Sequence, residues 1–569
     1  MPLDASFSFG GSTLTIDQFT ELANESLTIR QVGDSLQARL GEGVWSGNPN
    51  NGATLIAPNV LRLSPSALQS LTSITINDGS PGQGVDPTVR VSSLDLPAVS
   101  LSLGGTGRFI QRGTTELDAV NANVVSARIA GDLRIDDDGS IKITTQRSHR
   151  VTGALETDGA TIELTTVDGS FSGNGDLSTQ PDVGDGGNIK LTLGNGARFR
   201  GRIDASGANG ESADGQTDAT VGGGGGNITI SSESAAFRDT VVGELITTGG
   251  RGGDDATTNG RSAGGGGDGG GITVTVNGRN GFEASEIRTD GGVGGNRETA
   301  AQPAGGGGTA GNISVTAYTA VVDEVFAQGG RGGLARDGGS GGSGGGGGSV
   351  TLKVESIGDY SLEFETVSAN GGRGGDASGD GVGGSGGDAG NISLTASESS
   401  IRGQRLSTSG GLAGRGEAGN GGSGGSGNSL QISLGGRVSI DQIDSNGGRG
   451  GSSSGANGGN GGSGAAVTIQ AGRGIRIGRL NTFGGRGGQG SGATNSGGNG
   501  GDAGNGSLTS SGGTLSLSVA DASGGVGFNN GGDGGTLTID GVDEVLGSLD
   551  VEGGRGINGI DGDDGVVKS

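Results

Sequence analysis

The stretch GNISVTAYTAVVDEVFAQGGRGG, residues 311–333, decides how the chain is read. It holds three parts in order: a run alternating apolar and hydroxyl residues (Ile313-Ser-Val-Thr-Ala317), a second apolar run ending at Phe326, and Gly-Gly-Arg-Gly-Gly opening a long glycine field. Alternation with period two is the signature of a strand with one face buried and one face in water. The same three parts recur to the end of the chain.

Two landmarks measure the recurrence. The glycine that closes each second apolar run falls at Gly207, Gly249, Gly291, Gly329, Gly371, Gly410, Gly447, Gly484, Gly524 and Gly553. The first apolar residue after each field falls at Ile189, Ile228, Ile272, Ile313, Val350, Ile392, Leu430, Val467, Leu508 and Leu537. Both advance by about forty residues, a period that belongs to solenoids, propellers and arrays.

A third landmark is physical. Four residues before the glycines stand Ile203, Leu245, Ile287, Val325, Val367, Leu406, Ile443, Leu480, Ala520 and Leu549, and two residues before them stand small or β-branched residues such as Ala205, Thr247 and Thr289. An offset of two keeps both side chains on one face of a strand. Equivalent apolar residues from consecutive repeats are therefore expected to lie on one another as a continuous core.

Composition sets the competing reading. With Gly 139 of 569 residues and only 12 Phe, 2 Tyr and 1 Trp, the chain has a bias that ordinarily goes with disorder. The periodic strands argue against that for half of each repeat. A formal net charge of −25 opposes nucleic-acid binding, which needs a basic footprint. Cysteine is missing and His149 is the single histidine, so thiolate chemistry has no material and a histidine-based centre little, and no cofactor is expected. No apolar run approaches the roughly 20 residues that span a bilayer, so membrane insertion is not expected, and the N-terminal residues lack the basic-then-apolar pattern of a secretory signal.

Three regions follow. Residues 1–55 are expected to form a cap, with a short helix suggested by apolar residues Ile16, Phe19, Leu22 and Ala23. Residues 56–182 carry closely spaced alternating strands without glycine fields, and read as compact solenoid coils. Residues 183–569 are the glycine-rich repeats. The expected fold is all-β: a right-handed parallel β-helix (β-solenoid) of about forty-residue repeats, its hand taken from the usual crossover rule.

A glycine field buries almost no side chain, and each ordered glycine carries an entropic cost of about 0.5–1 kcal/mol relative to alanine. Order there must come from backbone hydrogen bonds between closely packed chains. The Gly-Gly-x-Gly-Gly patterns at 249–253, 329–333, 371–375, 447–451 and 484–488 resemble glycine-rich phage tail-tip adhesins, and the resemblance implies stacked polyglycine-type insertions. The strand ladders resemble the secreted parallel β-helices of bacterial adhesins and haemagglutinins, and Asn48-Pro-Asn resembles a turn motif of their secretion domains.

Within this pattern recur Arg251, Arg331, Arg373, Arg449, Arg486 and Arg555, replaced elsewhere by Val293, Leu412 and Val526. Stacked at ~4.8 Å, like charges repel by about 1 kcal/mol per pair even in water, so the row needs anions. Asp254, Asp255 and Asp376 stand close in sequence; the alternative is a row presented to an anionic glycan or a neighbouring molecule. The acidic turns Ile135-Asp-Asp-Asp-Gly and Ile560-Asp-Gly-Asp-Asp-Gly offer oxygen ligands for calcium, although a solvated turn is the simpler reading.

The expected function is that of a non-enzymatic extracellular structural protein that self-assembles head-to-tail into filaments, a sheath or a matrix, with the C-terminal Gly565-Val-Val-Lys-Ser as an edge strand. The alternatives are an adhesin or phage receptor-binding protein recognising cell-surface polysaccharide through its glycine-rich loops, and a polysaccharide-acting enzyme built around Asp323, Glu324, Glu363 and Glu365.

Overall fold

The computed structural model describes residues 5–17, 26–41, 43–47, 49, 51–77, 87–105, 107–136, 139–214, 216–233, 239–257, 261–298, 302–356, 361–491 and 496–569. It is all-β, with 45% strand and 1% helix. Among the described residues forty strands join one mixed sheet.

The N-terminal part adds antiparallel pairs to strands that also join the parallel ladders, Thr13–Asp17 on Ser73–Asn77 and Ser26–Val32 on Thr88–Ser92. Ala5–Gly10 pairs with Thr13–Asp17, and Ser26–Val32 pairs with Ser35–Leu40, which pairs in turn with Val60–Leu63. Ile16 is a strand residue opposite Phe7, fully buried, and not the start of a helix. The local alternation Thr13-Leu-Thr-Ile-Asp, with leucine and isoleucine inward, prevails there over helical spacing; Phe19, Leu22 and Ala23 lie outside the described residues. The one described helix is Pro65–Gln69, with proline in its first turn and the Ser64 hydroxyl accepting from the Ala67 amide at 3.3 Å.

From Ser73 onward every strand pairing is parallel. A first ladder runs through Ser73–Asn77, Ile141–Val151, Ile162–Thr166, Ile189–Leu193, Ile228–Ser232, Ile272–Val276 and so on to Val567–Lys568. A second ladder stacks Thr240–Ile246, Gly281–Arg288, Thr319–Phe326, Leu362–Ser368, Ile401–Ser407, Arg437–Asp444 and Gly474–Asn481. Each repeat adds one strand to each ladder, so one repeat is one rung.

Register puts the apolar residues in columns. Ile203, Leu245, Ile287, Val325, Val367, Leu406, Ile443 and Leu480 face their equivalents one rung away, and all are essentially inaccessible to water. Ala520 and Leu549 continue the same column. Each such burial contributes about 1.5–3 kcal/mol. One landmark shifts: Leu508 pairs with Ile469, and the partner of Val467 is Gly506. The gap is filled from above, because a Cβ on Gly506 would lie 2.6 Å from Leu537 Cδ1. Phe364 likewise occupies the space over Gly403.

The glycine fields are ordered by their backbone. In the outgoing arm Gly291–Gly295, the amides of Gly291 and Gly294 donate to Gln328 and Arg331 of the next repeat at 2.9 and 2.8 Å. Those of Gly292 and Gly295 donate sideways, to Gly267 and Gly264 of the previous return arm, both at 2.8 Å. The return arm repeats this scheme: Gly307 donates onward to Ser343 at 2.8 Å, and Gly308 donates across to Gly292 at 2.9 Å. Amide direction thus repeats every three residues, the period of an extended three-residue-per-turn chain.

This lattice explains the Gly-Gly-x motif. A Cβ on Gly291 would lie 1.9 Å from Gly308 O, and one on Gly292 would lie 1.9 Å from Gly250 O. The third position points outward, and there Asp290, Val293 and Asn296 stand. At the base of each field the small or β-branched residue closes the loop. Thr247, Thr289 and Thr482 donate their hydroxyls to return-arm carbonyls of Gly270, Gly311 and Gly504 at 2.6, 2.8 and 2.9 Å.

Candidate interaction surfaces

At many Gly-Gly-x triplets the outward residue has an amide that neither arm accepts. Asparagine and aspartate supply the acceptor from one rung below. Asn188 Oδ1 accepts from the Asn227 amide at 2.9 Å, Asn227 from Gly271 at 2.9 Å, and Asn312 from Ser349 at 2.8 Å. A second column runs through Asp268 to Thr309, and a third through Asp254 to Asn296 and Asn296 to Leu334. The same duty falls to Asp502, Asp533, Asn460 and Asn499 near the C-terminus. These columns account for much of the chain's Asx content as structural caps on stacked backbone.

The arginines also stand in one outward row, since the carbonyls of Val293, Arg331, Arg373 and Leu412 each accept from a glycine amide one rung below. Two of them carry the anion next in line. Arg251 Nη2 lies 2.7 Å from both oxygens of Asp254, and Arg373 Nη2 lies 3.2 Å from both oxygens of Asp376. Arg486 stacks over Phe528 at 5.3 Å. Asp255 is not a partner of the row: it turns inward and pairs with Arg297 at 3.6 Å, both side chains fully buried.

The acidic residues of the second ladder separate. Asp323, Glu363 and Glu365 line one open cleft of about 380 Å³ together with Arg402 and Arg476, whereas Glu324 lies beside it, in register with Glu286 and Thr366. Of the acidic turns, Asp137 and Asp138 lie outside the described residues. In the C-terminal turn Asp561 and Asp564 accept the amides of Gly556 and Gly553 at 2.7 and 2.8 Å, so these carboxylates cap backbone. Among the described residues no group of three or more His, Cys, Asp or Glu side chains converges as a metal site, and no helix is long and apolar enough to cross a membrane. Asn48 and Asn50 of the Asn-Pro-Asn motif lie outside the described residues.

His149 is a core residue. It stacks in register between Ala127 and Phe171, edge-on to the Phe171 ring at 5.5 Å. Full burial lowers its pKa from 6.5 to about 3. The unfolded chain therefore takes up a proton that the folded chain refuses. Stability on this account is complete above pH 6.5 and falls as pH drops from there towards about 3, by about tenfold in the folding constant per pH unit. His149→Phe, which would extend the Phe171–Phe199 stack, should abolish this component; urea midpoints of the two chains measured across that pH window check it.

No family model matches the chain, and neither a curated protein nor a solved structure does.

Proposed function

We propose that the chain is a non-enzymatic extracellular structural protein, a right-handed parallel β-helix with a side bundle of polyglycine-type strands, which adds to copies of itself end to end. The observation that carries this reading is the unbroken parallel register of the two ladders, in which every rung presents the same strand edges and apolar columns to the next and so fits a further copy of itself. Antiparallel strands cover the N-terminal rungs. In the strands Asp543–Asp550 and Val567–Lys568, Leu546 and Val567 are in register with the fully buried Leu517 and Leu537 and are 36% and 39% exposed. Unpaired strand edges recruit another strand.

Electron microscopy and sedimentation of the purified chain test this. Rods should lengthen into filaments with concentration, and Leu546→Asp together with Val567→Asp should hold them at single length. Parent rods that stay at single length at every concentration sink the reading. A second reading, an adhesin recognising surface glycans, draws on a polar cleft of about 530 Å³ at the field tips lined by Arg415, Glu417, Ser452 and Gln489; binding of acidic glycans by rods that never elongate would favour it.

A further inference from the structure

The outward face of the second ladder changes sign along its length. Register places Glu283, Val321, Glu363, Arg402, Ser439 and Arg476 at the same position on six successive rungs. A row three residues further along reads Glu286, Glu324, Thr366, Arg405, Gln442 and Arg479. Between them Asp323 and Glu365 stand on the acidic side. Over these six rungs the face is acidic up to the strand Leu362–Ser368 and basic on the strands Ile401–Ser407 and Gly474–Asn481, with Asp441 on the strand between them.

The 380 Å³ cleft straddles this line, with Phe364 over Gly403 forming its floor. The ion pairs on these strands, Arg288 with Glu286 and Arg405 with Asp444, leave most of the face unneutralised. Among the described residues Glu363, Glu365, Arg402, Arg476 and Arg479 take part in no ion pair within the chain. All five are exposed. In a chain of net charge −25, a patch of arginines beside a patch of carboxylates is a local pattern that the average composition does not supply.

We infer that this face binds a second copy of the chain, turned through a two-fold axis that passes through the line of sign change. A uniformly charged partner, whether an acidic glycan or a basic peptide, would be attracted by one half and repelled by the other. The same face rotated by a half-turn meets both halves with opposite sign, the isologous contact of a symmetric dimer. The rotation sets Glu363 against Arg405 at the first rung from the axis. At the third rung it sets Glu283 against Arg479 and Glu286 against Arg476. At the second rung it brings Asp323 to within one residue of Asp441, a like-charge approach that weakens the contact. This side-to-side contact is separate from the end-to-end addition proposed above and does not rest on it.

The test uses the full chain carrying Leu546→Asp and Val567→Asp, so that end-to-end growth is removed and only the lateral contact is read by sedimentation velocity. This parent should be a dimer at low ionic strength and should dissociate as salt approaches physiological strength, where the screening length is about 8 Å. Glu283→Arg with Glu363→Arg, and separately Arg405→Glu with Arg479→Glu, should each weaken dimerisation by roughly tenfold or more, since each sets like charges across the axis. Mixing the two variants should restore a dimer, one copy of each. Asp441→Arg should tighten the parent dimer. These positions are exposed, and unchanged melting curves verify that the variants fold. A parent that stays monomeric at low salt, variants that dimerise like the parent, or a mixture that stays monomeric would each overturn the proposal.

Discussion

Gly330→Val should dismantle the glycine field around it, whereas Arg331→Val, one residue further on, should leave the field intact. The arms leave no room for a side chain at 330: its Cβ would lie 1.9 Å from Gly292 O. Relief requires one arm to move by more than an ångström, and the hydrogen bonds Gly330 N–H to Gly308 O and Gly345 N–H to Gly330 O, both 2.8 Å, hold it in place. Overpacking costs about 1–3 kcal/mol, and each lost backbone bond adds about 0.5–1.5 kcal/mol. The sum, about 3 kcal/mol, corresponds to roughly a hundredfold loss of hydrogen-exchange protection at Gly308 and Gly345. Position 331 points outward, and valine already occupies its equivalents at Val293 and Val526, so that substitution is the matched control. Equal protection in the two variants would show that the arms are not packed as a lattice.

The contrast between adjacent positions also marks how far the sequence could be read. The strand columns were legible because identity repeats with register: an apolar residue four positions before each glycine pair has no other reason to recur every forty residues. The order of the fields was legible only in outline. Glycine reports nothing through its side chain, and the information lies in the outward third position, where Asn188, Asn227 and Asn312 cap the next rung's amides. Short segments misled where two periods fit, as at Ile16, whose spacing suits a helix while Thr13-Leu-Thr-Ile suits a strand. The charged face was not legible in one repeat at a time. Glu363 and Arg402 are 39 residues apart in sequence and become neighbours only through register. Asp254 and Asp255 show the same limit at single-residue scale: the three-residue phase of the arm sends the first outward to Arg251 and the second inward to Arg297.

That inward pair carries the other large effect. Arg297→Ala should destabilise the tip of its field by about 3–5 kcal/mol, because it leaves Asp255 buried without its counter-charge. Asp255 Oδ1 is held by the amide and hydroxyl of Thr257 at 2.8 and 2.7 Å, and among the described residues Oδ2 has only Arg297 beside it, at 3.6 Å. Arg297 in turn donates to the carbonyl of Arg261 on the neighbouring return arm. The column into which the pair is built continues as Ala335, Ala377, Gly416 and Ser453, so small residues fill the same slot on the following rungs with no ions at all. It follows that Asp255→Leu with Arg297→Met should recover most of the loss, since replacing both partners by apolar groups removes the desolvation penalty along with the attraction. Chemical denaturation of the three variants, read beside hydrogen exchange at Arg297 and Asp255, separates these outcomes. A double variant as unstable as Arg297→Ala would mean that the arginine acts through its contact with the Arg261 carbonyl, and that the ion pair is incidental to the packing of the tip.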